Sequence, residues 1–137
     1  MSAPFRTDRV RLIVFLNGKP GLSKEDFSHY WRTVHGDLFR SPDIVKVIKY
    51  EQGHANDEFF VGPRRMGLPV AEWDGLMILD GESYEKLFAV FASEEYAQKV
   101  ASDKVNFIDR PKCQILPLDL ATLLEGRVEA RGRAVHL

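Results

Sequence analysis

Two of the four histidines, His35 and His54, stand where an acid/base group could work. An imidazole titrates near neutral pH and can take or give a proton on a phenolic or β-keto compound. His35 closes a stretch in which Phe27, Tyr30, Trp31 and Val34 recur at spacings of three and four, and His54 leaves an alternating stretch through Gln52-Gly53. Each has a structural alternative. A histidine at a helix end meets free carbonyls and the negative end of the helix dipole, and His54 also reads as an ordinary polar loop residue. Asp103 and Asp109 flank a short segment, and either could orient a histidine or hold a substrate hydroxyl. Asp103 suits an N-cap before Lys104-Val105-Asn106, whereas Asp109 either faces a cavity or pairs with Arg110 or Lys112 at the surface. Tyr50 and Gln52 share one strand face with Ile48, which would aim two hydrogen-bonding groups into an apolar pocket, with Tyr50 serving equally as core. Tyr30 and Trp31 read first as helix packing and second as pocket lining.

The elements that would hold these residues follow from periodicity and turn chemistry. Residues 9–16 are a β-branched and aromatic run that reads as a strand. Asn17 to Gly21 supplies a turn, Ser23 an N-cap with Asp26 three residues on, and the apolar spacing predicts a helix over 23–35 with Gly36 as its C-cap. Residues 44–52 alternate as a second strand. Residues 72–80 form a third, with an internal glycine that suggests a bulge. A broken helical stretch opens at Glu82 or Ser83 and again at Ser93, Asp103 caps a further turn, Pro111 stops it, and 113–118 is the last strand. Between the second and third strands, 55–70 carries Phe59, Phe60, Met66 and Leu68 among glycines and prolines, a composition suited to a lid. The basic GPRR at 62–65 reads as solvated loop or as a steer for an anion.

Strand, helix, two strands, helix, strand makes an α+β chain of ferredoxin-like β-α-β-β-α-β order, a four-stranded antiparallel sheet with both helices on one face. The uncovered face would still carry apolar side chains, which predicts a homodimer formed through the sheets. At 137 residues, 45% hydrophobic and 28% charged, the chain has the size and balance of one globular domain, with a core over about 9–120 and a charged tail over 121–137. Nineteen Lys plus Arg against 20 Asp plus Glu give no field to draw in nucleic acid or anionic lipid. No apolar run approaches a membrane span. With the single cysteine Cys113 and no apolar signal near the start, the expected compartment is the cytoplasm. Phosphate-binding glycine loops, HExxH and CxxC pairs are absent, and the histidines are too scattered for a metal site, so neither metal nor cofactor is expected.

The run FLNGKPGLSKEDFSHYWRTVHG from Phe15 to Gly36 resembles the opening of the EthD-like group of the dimeric α/β-barrel superfamily. KYEQGH at 49–54 is similar to the group's second strand, and SDKVNFID at 102–109 to its turn before the last strand. The resemblance implies a cavity beside His35, with His54 and Asp109 as further catalytic candidates. Tyr50, Gln52, Tyr30, Trp31, Phe59 and Phe107 would then contact a small aromatic substrate. Fungal members of such families imply dehydration, decarboxylation or ring closure of an aromatic polyketide-type intermediate by histidine acid/base chemistry without a cofactor, a lyase or cyclase. Cofactor-free oxidation of a phenolic substrate by a monooxygenase and non-catalytic binding of a small ligand are the alternatives. Some dimeric α/β barrels hold haem on one histidine, which leaves that ligand open.

Overall fold

The computed structural model describes residues 3–40, 47–59 and 61–126. Strands β1 (Val10–Leu16), β2 (Lys49–His54), β3 (Gly75–Gly81) and β4 (Gln114–Leu118) form one antiparallel sheet in the order β2-β3-β1-β4. Helical segments join β1 to β2 and β3 to β4, which is the expected ferredoxin-like order. In the central strand, Leu12 and Leu16 are buried in the core with Met77 and Leu79 of β3. Alternation sends Ile13 and Phe15 to the other face, where Ile13 lies opposite Ile78 and Leu116, and Phe15 opposite Leu76. That face also holds the buried Asp80 carboxylate, 2.6 Å from Arg11 Nε and 3.2 Å from Arg9 Nη1. Burial would raise the pKa of Asp80, but the two guanidiniums win and hold it below the usual carboxylate value.

Residues 44–46 of the expected second strand lie outside the described residues. The strand continues past Gln52 to take in Gly53 and His54, which pair with Leu76 and Gly75. The third strand starts at Gly75, later than expected. Gly75 is no bulge, because it pairs in register with both Leu16 and His54. Its missing side chain makes room for a helix: a Cβ there would sit 2.6 Å from Trp31 Cζ3 and 2.8 Å from the Gly53 carbonyl.

Helix α1 (Lys24–Tyr30) starts where Ser23 Oγ accepts from the Asp26 amide at 3.0 Å. It runs on through a π-helical turn, Trp31–His35, into α2 (Gly36–Leu38). Gly36 is therefore within the helix and not its C-cap. It has right-handed helical dihedrals, and its small size matters because a Cβ would meet the Trp31 carbonyl at 3.1 Å and the Gln52 amide at 3.2 Å. Phe27, Trp31, His35 and Phe39 are all buried. A strict spacing of four drifts by about 40° per step around a regular helix, and the wider π turn takes up the drift. His35 thereby takes the inward place expected for Val34, which is 51% exposed.

Among the described residues of the 55–70 segment, expected as a lid, none lines a cavity. It holds a 3-10 turn, Asp57–Phe59, and the short helix α3 (Val61–Arg65), and Ala55 donates to the Asp74 carbonyl at 3.0 Å to close its base. Phe59, Met66 and Leu68 point to solvent, while Phe60 lies outside the described residues. After β3, Ser83 caps α4 (Tyr84–Phe91), and Ser93 Oγ accepts from the Tyr96 amide at 3.1 Å to open a second π turn, Tyr96–Val100. A 3-10 segment, Ala101–Asn106, follows. It is pinned to the end of β1 by Lys19 N–H to the Phe107 carbonyl at 2.8 Å and Asp109 N–H to the Asn17 carbonyl at 3.0 Å. Of the expected tail, residues 127–137 lie outside the described residues.

Gly75→Ala should lower the midpoint of urea unfolding by the equivalent of roughly 1–3 kcal/mol, the usual cost of overpacking a filled core. Gly126→Ala, with nothing within 4 Å of its Cβ, should leave the midpoint unchanged. Equal midpoints would mean that Trp31 does not seat against this strand.

Candidate active site

The buried π turn Trp31–His35 and the pinned 3-10 segment meet at one hydrogen bond. His35, 2% exposed, places Nδ1 2.9 Å from Asp103 Oδ2. Asp103 does not cap its turn, where no side-chain cap bond forms. Its carboxylate is instead gathered inward: Tyr30 O–H donates to Oδ1 at 2.5 Å, and Asn106 Nδ2 donates to the same oxygen at 2.9 Å. Burial would raise the Asp103 pKa, but these donors and His35 outweigh it, so the group stays below the ordinary carboxylate value and ionised. A carboxylate can only accept, so Nδ1 of His35 carries the proton and Nε2 holds a free lone pair. For the imidazole itself burial dominates. It pushes the pKa below the ordinary histidine value, against the opposing pull of Asp103.

His35 opens into an apolar cavity of about 400 Å³ between the sheet and the helical segments. Leu12, Val14 and Met77 supply the sheet wall, Trp31 and Phe39 flank His35, and Tyr96, Lys104, Arg110 and Cys113 supply its polar atoms. Phe107 is fully buried behind the imidazole, with ring centroids 4.6 Å apart. The arrangement is a neutral base with Nδ1 fixed by a carboxylate and its ring facing a pocket suited to a flat apolar ligand.

His54 is not brought to this cavity. It lines a second, more open pocket of about 530 Å³ with Tyr50, Gln52, Arg32 and Arg40, on the far side of Trp31, whose ring lies 4.6 Å from the His54 ring. Gln52 Nε2 donates to the Trp31 carbonyl at 2.9 Å and to Tyr50 Oη at 2.8 Å, so its Oε1 must accept from His54 Nε2–H at 2.9 Å. His54 Nδ1 then accepts from Ser28 O–H at 2.7 Å. Both ring nitrogens are occupied, which suits an orienting role better than direct catalysis. Burial pushes the Tyr50 hydroxyl up to about 12.

Of the remaining expected residues, Trp31 lines the His35 cavity, while Tyr30 and Phe107 support it from behind. Asp109 lies 3.8 Å from Lys112 and Phe59 is 71% exposed, so neither reaches the pocket. Of the two aspartates weighed for orienting a histidine, Asp103, read first as a cap, is the partner of His35. Tyr96, Lys104, Arg110 and Cys113 were missed as lining. Their common signal, polar groups in the weakly periodic stretch after Ser93, is visible only once that stretch is known to fold back on the first helix. Among the described residues no group of three His, Cys, Asp or Glu side chains could hold a metal ion, and no helix is long and apolar enough to cross a membrane.

A family model described as EthD domain matches residues 19–111. No curated protein matches the sequence. Among solved structures, an EthD (ethyl tert-butyl ether D) family protein from Bacillus halodurans is similar at 13% identity with a TM-score of 0.54, covering 84% of this chain and 99% of its own. A dimeric ferredoxin-like protein of unknown function from Thermobifida fusca has 14% identity, a TM-score of 0.56 and coverage of 85% and 95%. A protein from Nitrosomonas europaea described as a candidate antibiotic biosynthesis monooxygenase has 12% identity, a TM-score of 0.51 and coverage of 88% and 95%. At these identities the likeness is one of fold.

The His35 geometry predicts a measurable titration. With its folded pKa below the unfolded value of about 6.5, the native state binds fewer protons than the unfolded chain as pH falls through that window. The contribution to stability is therefore complete above about pH 6.5 and is lost as pH drops toward the folded pKa. NMR should place the His35 titration below the ordinary histidine value of about 6.5, and Asp103→Asn should lower it further by removing the opposing charge. A His35 titration at or above the ordinary value would contradict the burial and the tautomer described here.

Proposed function

This chain belongs to the EthD domain family, and on that premise we propose that it is a cofactor-independent lyase or cyclase acting on an aromatic polyketide-type intermediate. One observation carries the reading: His35 Nδ1 is held by Asp103, which leaves Nε2 as the basic nitrogen, and the ring lines an apolar, aromatic-walled cavity. In such a site Nε2 takes a proton from carbon next to a carbonyl, and the electron pair moves onto the carbonyl oxygen as an enolate. For dehydration the enolate re-forms its carbonyl as the β C–O bond breaks, and the imidazolium returns its proton to the departing hydroxide as water. For ring closure the enolate carbon attacks a second carbonyl, and the same proton goes to the new alkoxide. Asp103 stabilises the imidazolium in both and stays ionised, the part a carboxylate plays behind a catalytic histidine.

A second reading rests on the fold likeness to the candidate monooxygenase of Nitrosomonas europaea. A phenolate generated by the same base would react directly with oxygen.

The active species we propose is a homodimer joined through the helix-free sheet faces. Support comes from Ile13, Phe15, Leu76 and Ile78, which share that uncovered face, and from the dimeric description of the Thermobifida fusca relative. Sedimentation at micromolar concentration should give about twice 15.7 kDa. A monomer across that range would remove the dimer from the reading.

A panel of polyhydroxylated β-keto aromatics should lose water, lose carbon dioxide or cyclise in the presence of the protein, read by mass spectrometry, with dissolved oxygen followed alongside. His35→Gln should lower the rate by roughly 10²- to 10⁴-fold, and Asp103→Asn should lower it while moving the acid limb of the pH profile downward. Oxygen consumed in step with substrate would transfer the assignment to the monooxygenase. Full activity in both variants would remove His35 chemistry altogether.

A further inference from the structure

We infer that the cavity binds its ligand as an oxyanion, an enolate or phenolate, with Tyr96 as the donor to that oxygen and Lys104 as the charge behind it. This rests on the proton-transfer reading, which generates the anion, and adds a residue and a ligand charge to it.

The hydrogen bond between the two side chains sets the direction of the phenol. Lys104 Nζ lies 2.6 Å from Tyr96 Oη. An ammonium has donors only, so the tyrosine oxygen accepts and its own O–H must point elsewhere. No acceptor meets that proton among the described residues. Tyr96 is 6% exposed and lines the cavity, so the open direction for the proton is the cavity itself. The ring is held edge-on by Phe91, with centroids 5.1 Å apart at 78°, and by Phe39 at 6.4 Å and 71°. A fixed donor aimed at an empty position loses little by reorganising when charge develops there.

The charges of the wall agree. Lys104 and Arg110 line the cavity, no carboxylate among the described residues does, and Asp103 is turned away behind His35. An apolar pocket with two cations, a phenol and a neutral imidazole favours an anionic guest over its neutral isostere, because the oxyanion gains charge-assisted bonds in a water-poor site. In the reaction, the C–H bond breaks, the proton goes to His35 Nε2, and the electron pair settles on the carbonyl oxygen. Tyr96 keeps its proton and shares it with that oxygen. Lys104 is a positioning residue: it polarises the phenol without touching the ligand.

The probes are 4-nitrophenol and nitrobenzene, similar in shape but only one able to ionise, bound to the full-length protein at pH 8 and followed through the nitrophenolate absorbance and tryptophan fluorescence. Wild type should prefer the phenolate over nitrobenzene. Tyr96→Phe should cut the phenolate affinity roughly 10- to 100-fold, the range for a lost bond to a charged group, with nitrobenzene unchanged. Lys104→Met should weaken the phenolate in the same direction, which keeps the test open if one variant folds poorly. His35→Gln should retain the preference. Equal binding of the two probes by wild type, no binding of either, or an unaltered preference in both variants would overturn the inference. If the preference fails while His35-dependent turnover persists, the oxyanion role alone is lost. If the preference holds without His35-dependent turnover, the proton-transfer reading is what fails.

Discussion

His35 and Asp103 stand 68 positions apart in the chain and 2.9 Å apart in the fold, and the chemistry of the main cavity depends on that contact. The bond fixes which imidazole nitrogen is free. It also ties the first helix to the 3-10 segment that carries Lys104, so the base and the polar cavity wall are located by one interaction. Its surroundings keep it directional: Tyr30 and Asn106 occupy the other carboxylate oxygen, and Phe107 backs the ring. A buried imidazole would be costly to orient in an aromatic pocket without such a partner, since an unpaired N–H there has no water to turn to.

Two pockets on one helix have opposite characters. Trp31 and the shared Phe39 divide a dry cavity, where His35 keeps a free nitrogen, from an open one, where Gln52 and Ser28 engage both nitrogens of His54. The same residue type is thus poised in one place and locked in the other. The difference lies in hydrogen-bond partners, because burial lowers the pKa of both rings.

The strands were readable because alternation and β-branching are local, and β1, β3 and β4 fall within a few residues of where the pattern puts them. The Ser23 and Ser83 caps were readable for the same reason. Gly36 was misread because a glycine after a helical run has the grammar of a terminus, whereas here its lack of a Cβ admits the Gln52 amide. Asp103 was read first as a cap and only second as a group orienting a histidine, because an acidic residue before a short turn looks like a cap and nothing local reports a histidine 68 positions away. The separation of His54 from His35 was equally hidden, since it is made by the Trp31 ring, which a glycine at position 75 allows to sit against the sheet.

The π turn at Trp31–His35 gives the placement of the base an origin in chain length as well as in residue identity. A π turn is what a helix forms when it accommodates one residue more than its regular repeat. Winding the same residues as a regular helix would bring back the drift of about 40° per four-residue step and turn the histidine away from its present place. The imidazole would swing out of the cavity although every catalytic residue type remained in the chain. Among relatives, the way this turn is wound between the tryptophan and the histidine would therefore mark the chemistry more surely than many substitutions around it.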